Sequence, residues 1–372
     1  MSSAYRVGSR PDSRSPTIWE PCRATARTPI GSTRRRSTSS TGTGDSPWRH
    51  GATGRRTAAT VEGLPMTSEA KEWRWPWLGL VLRFPLTRIV IAVAAILAGV
   101  LLVSVLLLGL YLLTDFVLPP SAIFLVLGVP AVLVTHFIYI GFVRLVERRA
   151  ASELALRGAL REVGSGMLIG GGLLLVAIGA LAALGHYRVD AVNSWRALIP
   201  ALGVALFAGY VEEVLSRGVI LRILEESLGT WIALAISAGL FGFAHFGNPN
   251  MGLRGLLAIT VGAGVLLGAA YLLTRRLWLA VGIHFGWNFV YVLFGLPPPI
   301  AEGLFDSRLS GPDLLIGDAS GVESSILALT LCVAAAVVLL VAAHRKGHFV
   351  RPFWARTTEA TNNETMGEET SP

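Results

Sequence analysis

Hydrophobic residues in this chain are grouped into long runs of about 20 positions, which short polar links separate. A transmembrane helix needs about 20 mainly apolar residues, because it rises about 1.5 Å per residue through about 30 Å of hydrocarbon. The pattern therefore predicts an all-α polytopic membrane protein with about eight transmembrane helices. The predicted spans are 89–113, 121–143, 166–185, 197–215, 230–247, 253–273, 277–295 and 325–343.

The composition agrees with a membrane protein, since 52% of the residues are hydrophobic and only 15% are charged. A soluble domain needs more charge to cover its surface, so the bilayer is the expected solvent. The formal net charge of +8 is not evidence for a nucleic-acid partner, because residues 1–65 hold eleven Arg against four acidic residues. Cys22 and Cys332 are too few for a disulfide framework or a thiol metal site.

The chain divides into four parts by composition. Residues 1–65 are rich in Arg and Ser and lack apolar periodicity, which predicts a disordered leader. The alternative is that translation starts at Met66 and the leader is not expressed. The other predicted parts are a juxtamembrane segment at 66–88, a helical bundle at 89–343 with a catalytic core at 197–295, and a cytoplasmic tail at 344–372.

Positive charge orients the predicted spans, because links rich in Arg and Lys stay in the cytoplasm. Such residues precede the first span, occupy the link after the second, form Arg275-Arg276, and follow the last span. The alternate links have few cations. Both termini are therefore expected to be cytoplasmic.

Ionisable side chains within apolar spans are costly and often functional. The first cluster is Glu212, Glu213 and Arg217. On a helix, Glu213 and Arg217 are four residues apart and can pair, whereas Glu212 is rotated by about 100° and can face elsewhere. The alternative is a purely structural ion pair.

Two further clusters follow along the chain. Phe241 and His245 lie four residues apart, as do His284 and Asn288, so each pair shares one helix face. Taken singly, His245 reads as a hydrogen-bonded core residue and the second pair as polar contacts between helices. If the fourth and fifth spans form a hairpin near Leu228-Gly229, Glu212 and His245 lie at the same height. The relative depth of His284 stays open.

The order and spacing of these residues resemble the CPBP family, the CAAX proteases and bacteriocin-processing enzymes also called Abi. Its signature is E-E-x-x-x-R, F-x-x-x-H and H-x-x-x-N on three membrane helices. The resemblance implies an intramembrane endopeptidase that hydrolyses membrane-associated or CAAX-like substrates. It implies that Glu212 and His245 activate a water, that His284 and Asn288 stabilise the oxyanion, and that Glu213 and Arg217 orient Glu212.

Cofactor dependence is open at this stage. Glu212, His245 and His284 could also form a zinc site with an open position for water, although metal-independent glutamate chemistry is the preferred interpretation. The expected partners are a membrane-anchored protein or peptide substrate and the lipid bilayer, with no nucleic acid.

Two other classes of function remain as alternatives. One is a non-catalytic membrane protein, such as a scaffold or a bacteriocin self-immunity protein. The other is a proton-coupled transporter, although its charges would be spread over more helices. The expected location is a bacterial plasma membrane, with the polar residues around a pocket below the cytoplasmic surface.

Overall fold

The computed structural model describes residues 81–113, 122–248 and 250–356. The predicted leader at 1–65, most of the juxtamembrane segment, and the end of the tail lie outside the described residues. In chain order the α-helices are α1 (Pro85–Leu113), α2 (Ile123–Leu145), α3 (Ala159–Ala183), α4 (Leu198–Phe207), α5 (Arg222–Ala244), α6 (Leu253–Ala258), α7 (Val265–Thr274), α8 (Trp278–Leu293), α9 (Asp313–Ile316) and α10 (Ile326–Arg345).

Three π-helical segments join some of these helices into longer runs. Ala208–Glu212 and Val214–Leu221 connect α4 to α5, and Ile259–Gly264 connects α6 to α7. A π-helix has a wider turn than an α-helix and often marks a functional position. All three segments lie in the half of the chain that carries the polar motifs.

Within the described residues, six helical runs are long and apolar enough to cross a membrane. One of them, Trp195–Gly247, has 53 residues and is bent into two at Gly229, whose φ of 75° is not helical. Helix α8 is apolar but shorter than the other runs. Counting both halves of the bent run and α8, these segments match the eight predicted spans, and the predicted all-α membrane fold is confirmed.

The bend at Gly229 forms the hairpin that the sequence predicts near Leu228-Gly229. A Cβ atom at this glycine would lie only 2.7 Å from the backbone nitrogen of Pro352, so the tail packs directly against the turn. The backbone N–H of Thr230 donates to the carbonyl of Val350 at 3.0 Å. The tail thus fixes the point at which the chain reverses.

The two ends of the bundle differ in charge. At one end, termed the arginine-rich end, lie the starts of α1, α3 and α8, the ends of α2, α7 and α10, and the turn at Gly229. Arg222, at the start of α5, donates to Glu147 after α2 at 2.7 Å and to Glu226 before the turn at 3.1 Å. Arg88 pairs with the same two carboxylates. These contacts hold the helix ends together.

The opposite end, termed the loop end, has the short links 184–197 and 248–252 and the long link 294–325. Strands β1 (Tyr187–Val192) and β2 (Phe305–Leu309) pair there as a two-stranded antiparallel sheet, an addition to the predicted all-α fold. Asn193 donates its side-chain amide to the carbonyl of Gly303 at 3.0 Å. The sheet therefore ties the long link to the link after α3.

Helices α3 and α8 approach each other closely through glycines. A Cβ atom at Gly170 would lie 1.9 Å from the carbonyl oxygen of Ile283, and one at Gly286 would lie 2.4 Å from that of Met167. Small residues allow such backbone contact between membrane helices. This packing fixes the part of α8 that carries His284.

Candidate active site

Glu212, His245 and His284 converge within the bundle. The Oε2 atom of Glu212 lies 3.8 Å from Nε2 of His245 and 3.9 Å from Nε2 of His284. The depth of His284, left open by the sequence, therefore matches that of Glu212. The predicted meeting of the three motifs on separate helices occurs in the structure.

Glu212 and Glu213 point in different directions, as the predicted helical rotation requires. The Glu213 side chain is fully buried and accepts a hydrogen bond from Arg217 Nη1 at 2.8 Å. The side chain of Glu212 is 29% exposed and lines a cavity. Its Oε2 atom has no hydrogen-bond partner within the protein. One carboxylate is thus held in the interior and its neighbour faces open space.

Arg217 is buried together with its partner Glu213. A second guanidinium N–H donates to the carbonyl of Gly264 at 2.9 Å, in the π-helical link before α7. The guanidinium carbon also lies 4.5 Å from the ring centre of Phe241, a cation–π contact. Arg217 thereby links three of the segments that surround the site.

His284 is held by Glu213, not by Glu212. The Nδ1 atom of His284 lies 2.8 Å from Oε1 of Glu213, the same oxygen that accepts from Arg217. The prediction that Glu213 and Arg217 orient Glu212 is therefore not what the contacts show. The Glu213 carboxylate accepts a hydrogen bond from the imidazole of His284 on α8. Glu213 and Arg217, four residues apart, share a helix face that does not line the cavity.

His245 is held by its own helix. Its Nδ1 atom lies 2.8 Å from the carbonyl oxygen of Phe241, and the two rings are 4.9 Å apart. The Phe241 ring also meets the His284 ring edge-on at 5.8 Å. Phe241 therefore packs against both imidazoles and against the Arg217 guanidinium.

The hydrogen bonds at Nδ1 define which nitrogen of each ring carries a proton. A carboxylate and a carbonyl oxygen can only accept, so Nδ1 donates in both His245 and His284. In the neutral form, Nε2 of each ring is then an acceptor that faces Glu212. In the protonated form of His284, Nε2 becomes a donor toward the same space.

Asn288 lies one turn beyond His284 on α8. Its Nδ2 atom donates to the carbonyl oxygen of His284 at 3.3 Å, and the residue lines the cavity. The predicted same-face arrangement of His284 and Asn288 is present. The amide is thus beside the cavity without contacting Glu212.

The cavity in front of Glu212 has a volume of about 730 Å³. Its wall is mainly apolar, with the polar groups concentrated around Glu212 and near the loop end. This volume falls in the range of small-molecule and peptide pockets. Arg and Lys are absent from its lining among the residues that the structure describes.

Glu323 is a cavity residue that sequence reasoning missed. It precedes α10, and its Oε1 accepts a hydrogen bond from the indole of Trp287 at 3.1 Å. It interacts electrostatically with His245, His284 and Glu212. No sequence signal distinguishes it from other acidic residues of the long link, because only the tertiary fold brings the link over the cavity.

The cavity lies toward the loop end of the bundle. Asn248, Pro298, Ile300, Ser320 and Glu323 from that end all contribute to its wall. The sequence predicts a pocket below the cytoplasmic surface. His245 lies at the end of α5 remote from the turn at Gly229, so the cavity is on the side of the bundle away from the arginine-rich links.

Glu212, His245 and His284 are also the residues that could hold a zinc ion. Tetrahedral zinc with bonds of about 2.0–2.1 Å holds neighbouring nitrogen and oxygen ligands about 3.3 Å apart. The separations of 3.8 and 3.9 Å are wider. Among the described residues there is no group of three or more His, Cys, Asp or Glu in a metal-binding arrangement. As they stand, the residues do not fit a zinc ion.

Comparison with known proteins bears directly on the three motifs. Residues 193–290 match the family model described as Rce1-like, type II CAAX prenyl endopeptidase Rce1-like. This match bears out the predicted family over the segment that carries the motifs. The Rce1-like segment contains every residue of the three motifs and overlaps the predicted catalytic core at 197–295, starting four residues before it and ending five residues before its end.

The family model matches residues 193–290 and does not extend to the rest of the chain. No curated protein and no solved structure matches the chain. The Rce1-like family is one of CAAX-type intramembrane proteases, which implies a lipid bilayer and a peptide or protein substrate. Glu323 and the remainder of the long link after residue 290 lie outside the Rce1-like segment.

Proposed function

We propose that this protein is an intramembrane endopeptidase in which Glu212 and His245 activate a water molecule. The observation that supports the proposal is the spacing around Oε2 of Glu212. This oxygen lies 3.8 Å from Nε2 of His245 and 3.9 Å from Nε2 of His284. Both are too long for direct hydrogen bonds and suit one bridging water. The carboxylate that borders this space has an oxygen with no other partner.

The proton positions support a division of roles. In its neutral form His245 presents Nε2 as an acceptor toward the water, and the Glu212 carboxylate presents an acceptor oxygen, so either group can take the proton of the water. The hydroxide then attacks the carbonyl carbon of the peptide bond. When the C–N bond breaks, the proton held by Glu212 or His245 passes to the leaving amine.

His284 suits stabilisation of the oxyanion and not removal of a proton from the water. Nδ1 donates to Glu213, so when the ring is protonated its Nε2–H points toward the space where a peptide carbonyl oxygen gains negative charge. Asn288 lies beside the same space and could supply a second donor. Glu213 and Arg217 act as positioning residues for His284 and do not touch the substrate.

The substrate proposed from the family is a membrane-anchored protein or peptide. The mainly apolar wall of the cavity suits a segment that is partly embedded in lipid. Cleavage of CAAX-like tails, and a bacterial plasma membrane as the location, stay predictions.

The central test is the pair Glu212→Gln and His245→Ala in the purified, detergent-solubilised protein. Each variant is expected to lower cleavage by about 10²–10⁴-fold, because general-base catalysis contributes that much. Substrates are first identified by comparing membrane proteomes with the wild type and with Glu212→Gln.

Matched controls are Glu302→Gln and His186→Ala, which change the same residue types in links outside the cavity lining. They should cleave at the wild-type rate. Wild-type cleavage by both Glu212→Gln and His245→Ala would rule out the proposed mechanism, provided that all four variants insert into membranes equally.

Metal dependence is tested separately with a chelator. Incubation of the purified protein with EDTA followed by dialysis should leave cleavage unchanged, because the three side chains are too widely spaced for zinc. Activity that is lost with EDTA and restored by added zinc would contradict the metal-independent mechanism.

A further inference from the structure

Glu323 is a second carboxylate in the wall of the cavity that contains Glu212. It lies in the long link 294–325, shortly before α10, and outside the Rce1-like segment at 193–290. Glu323 takes no part in the proposed mechanism. A carboxylate beside a mainly apolar wall is costly to keep unless a partner or a ligand stabilises it.

One oxygen of Glu323 is held by the protein and the other is not. Oε1 accepts a hydrogen bond from the indole Nε1 of Trp287 at 3.1 Å. Oε2 makes no hydrogen bond within the described parts of the chain. Trp287 is itself partly exposed and lines the same cavity. The pair therefore brings a carboxylate oxygen and an indole ring to one part of the wall.

A carboxylate beside an indole ring is suited to binding a cation. An ammonium or guanidinium group donates a charge-assisted hydrogen bond to a carboxylate oxygen. Indole is also the aromatic group that attracts a cation most strongly. Trp287 occupies a position that the H-x-x-x-N motif leaves unspecified, between His284 and Asn288, so the motif does not account for its side chain.

The cavity has no Arg or Lys in its wall over the ranges that the structure describes. The charged groups that act most strongly on Glu323 are His245, His284 and Glu212. Burial raises the pKa of the Glu323 carboxyl, because the charged form loses its hydration. A cation that the substrate brings would stabilise the charged form.

We infer that Glu323 and Trp287 form a specificity site for a basic side chain of the substrate. The substrate class is then a membrane-anchored polypeptide with Lys or Arg close to the cleaved bond. This inference rests on the proposed function for the word substrate, but binding of the cation does not depend on the chemical step.

The position of Trp287 on α8 sets the distance from the basic residue to the cleaved bond. Trp287 follows His284 by three residues, which is about 4.5 Å along the helix axis. His284 is the proposed donor to the carbonyl oxygen of the cleaved bond. Because an extended peptide covers about 3.3 Å per residue, and a Lys or Arg side chain adds its own length, the basic residue should lie within about three residues of that bond.

The test compares the binding of two peptides to the full-length protein in nanodiscs. Glu212→Gln is present throughout, so that bound peptide is not cleaved. One probe is a dansyl-labelled apolar peptide with a single central lysine, and the other has norleucine in its place. The ratio of their affinities, lysine over norleucine, should fall about tenfold when Glu323→Gln is added, because a hydrogen bond to a charged group is lost.

Glu323→Gln changes the charge and little else, because glutamine keeps an oxygen that can accept from Trp287. Glu323→Asp keeps the charge and should retain most of the preference for lysine. Glu302→Gln removes an exposed carboxylate of the same link, outside the cavity wall, and should leave the ratio unchanged. An affinity ratio that is the same with and without Glu323→Gln would overturn the inference.

A second readout needs no substitution at Glu323. Peptide bonds whose cleavage in membrane proteomes depends on Glu212 should carry Lys or Arg within about three residues. Cleavage sites without such enrichment would overturn the inference and leave the protease proposal intact. If no cleavage differs between the wild type and Glu212→Gln, the proposed function fails, while the binding ratio still decides whether Glu323 recognises a cation.

Discussion

At the scale of single residues, the site depends on a charge pair that does not face the cavity. Glu213 and Arg217 are both fully buried, and the same Glu213 oxygen also lies 2.8 Å from His284 Nδ1. The sequence predicted the pair from its four-residue spacing. It could not predict the contact with His284, because 71 residues separate the two positions in the chain.

This arrangement separates stability from catalysis in a testable way. Glu213→Leu alone leaves the Arg217 guanidinium buried without its partner, which should destabilise the protein by about 3–5 kcal/mol. Glu213→Leu combined with Arg217→Leu removes both charges and should regain much of that stability. Neither variant should cleave substrate well, because His284 loses its acceptor in both.

Thermal unfolding in detergent and the cleavage rate together check this prediction. The informative comparison is between the single and the double variant at equal protein concentration. A double variant with restored stability and a wild-type cleavage rate would show that Glu213 does not position His284.

At the scale of elements, the predicted spans agree with the helices to within a few residues except at two points. Helix α3 starts at Ala159 and not at 166, and the fourth span continues past 215 to the bend at Gly229. The π-helical segments were not predicted. Their sequences, such as Ala208–Glu212, have ordinary helical composition, and the wider turn depends on packing against neighbouring helices. The hydrophobic pattern of the sequence therefore predicted where the helices lie but not which of their turns are α-helical and which are π-helical.

Helix α8 provides the element-scale prediction. Gly170→Ala should push α3 away from α8, because the new Cβ atom would lie 1.9 Å from the Ile283 carbonyl. Since the backbone of Ile283 precedes His284, cleavage should fall by at least tenfold even where the protein still folds. Gly172→Ala is the matched control, because a Cβ atom there meets nothing within 4 Å.

Both variants are compared by cleavage rate and by thermal midpoint. Gly172→Ala should keep the wild-type values for both, since it adds the same methyl group in an open position. Equal activity of the two variants would mean that the close approach of α3 and α8 does not fix His284.

At the scale of the whole molecule, charged residues at the arginine-rich end hold the helices together. Burial alone would raise the pKa of Glu153, but hydrogen bonds from Arg149 and Tyr139 lower it from 4.5 to about 2. A carboxyl whose pKa is lower in the folded state stabilises the fold above its unfolded pKa. That contribution is lost as the pH falls from about 4.5 toward 2.

Glu153→Gln should therefore destabilise the protein at pH 7 by on the order of 3 kcal/mol. The difference from the wild type should shrink as the pH is lowered below about 4.5. Thermal midpoints of both proteins in detergent, measured between pH 7 and pH 3, check the prediction. A difference that is constant over this range would contradict the assigned role of Glu153.

The sequence by itself determined that this is a membrane-spanning helical protein with three polar motifs of a protease family. Those conclusions depend on local properties, namely the length of apolar runs and the spacing of residues on one helix face. The match of residues 193–290 to the Rce1-like model agrees with them.

Only the tertiary structure decided which groups touch and where the cavity lies. The contact of Glu213 with His284, the place of Glu323 in the cavity wall, and the position of the cavity toward the loop end all join residues far apart in the chain. Helix periodicity gives the face on which a side chain lies but not the helix that packs against it. The packing of several helices, with glycines at their closest contacts, supplies that information.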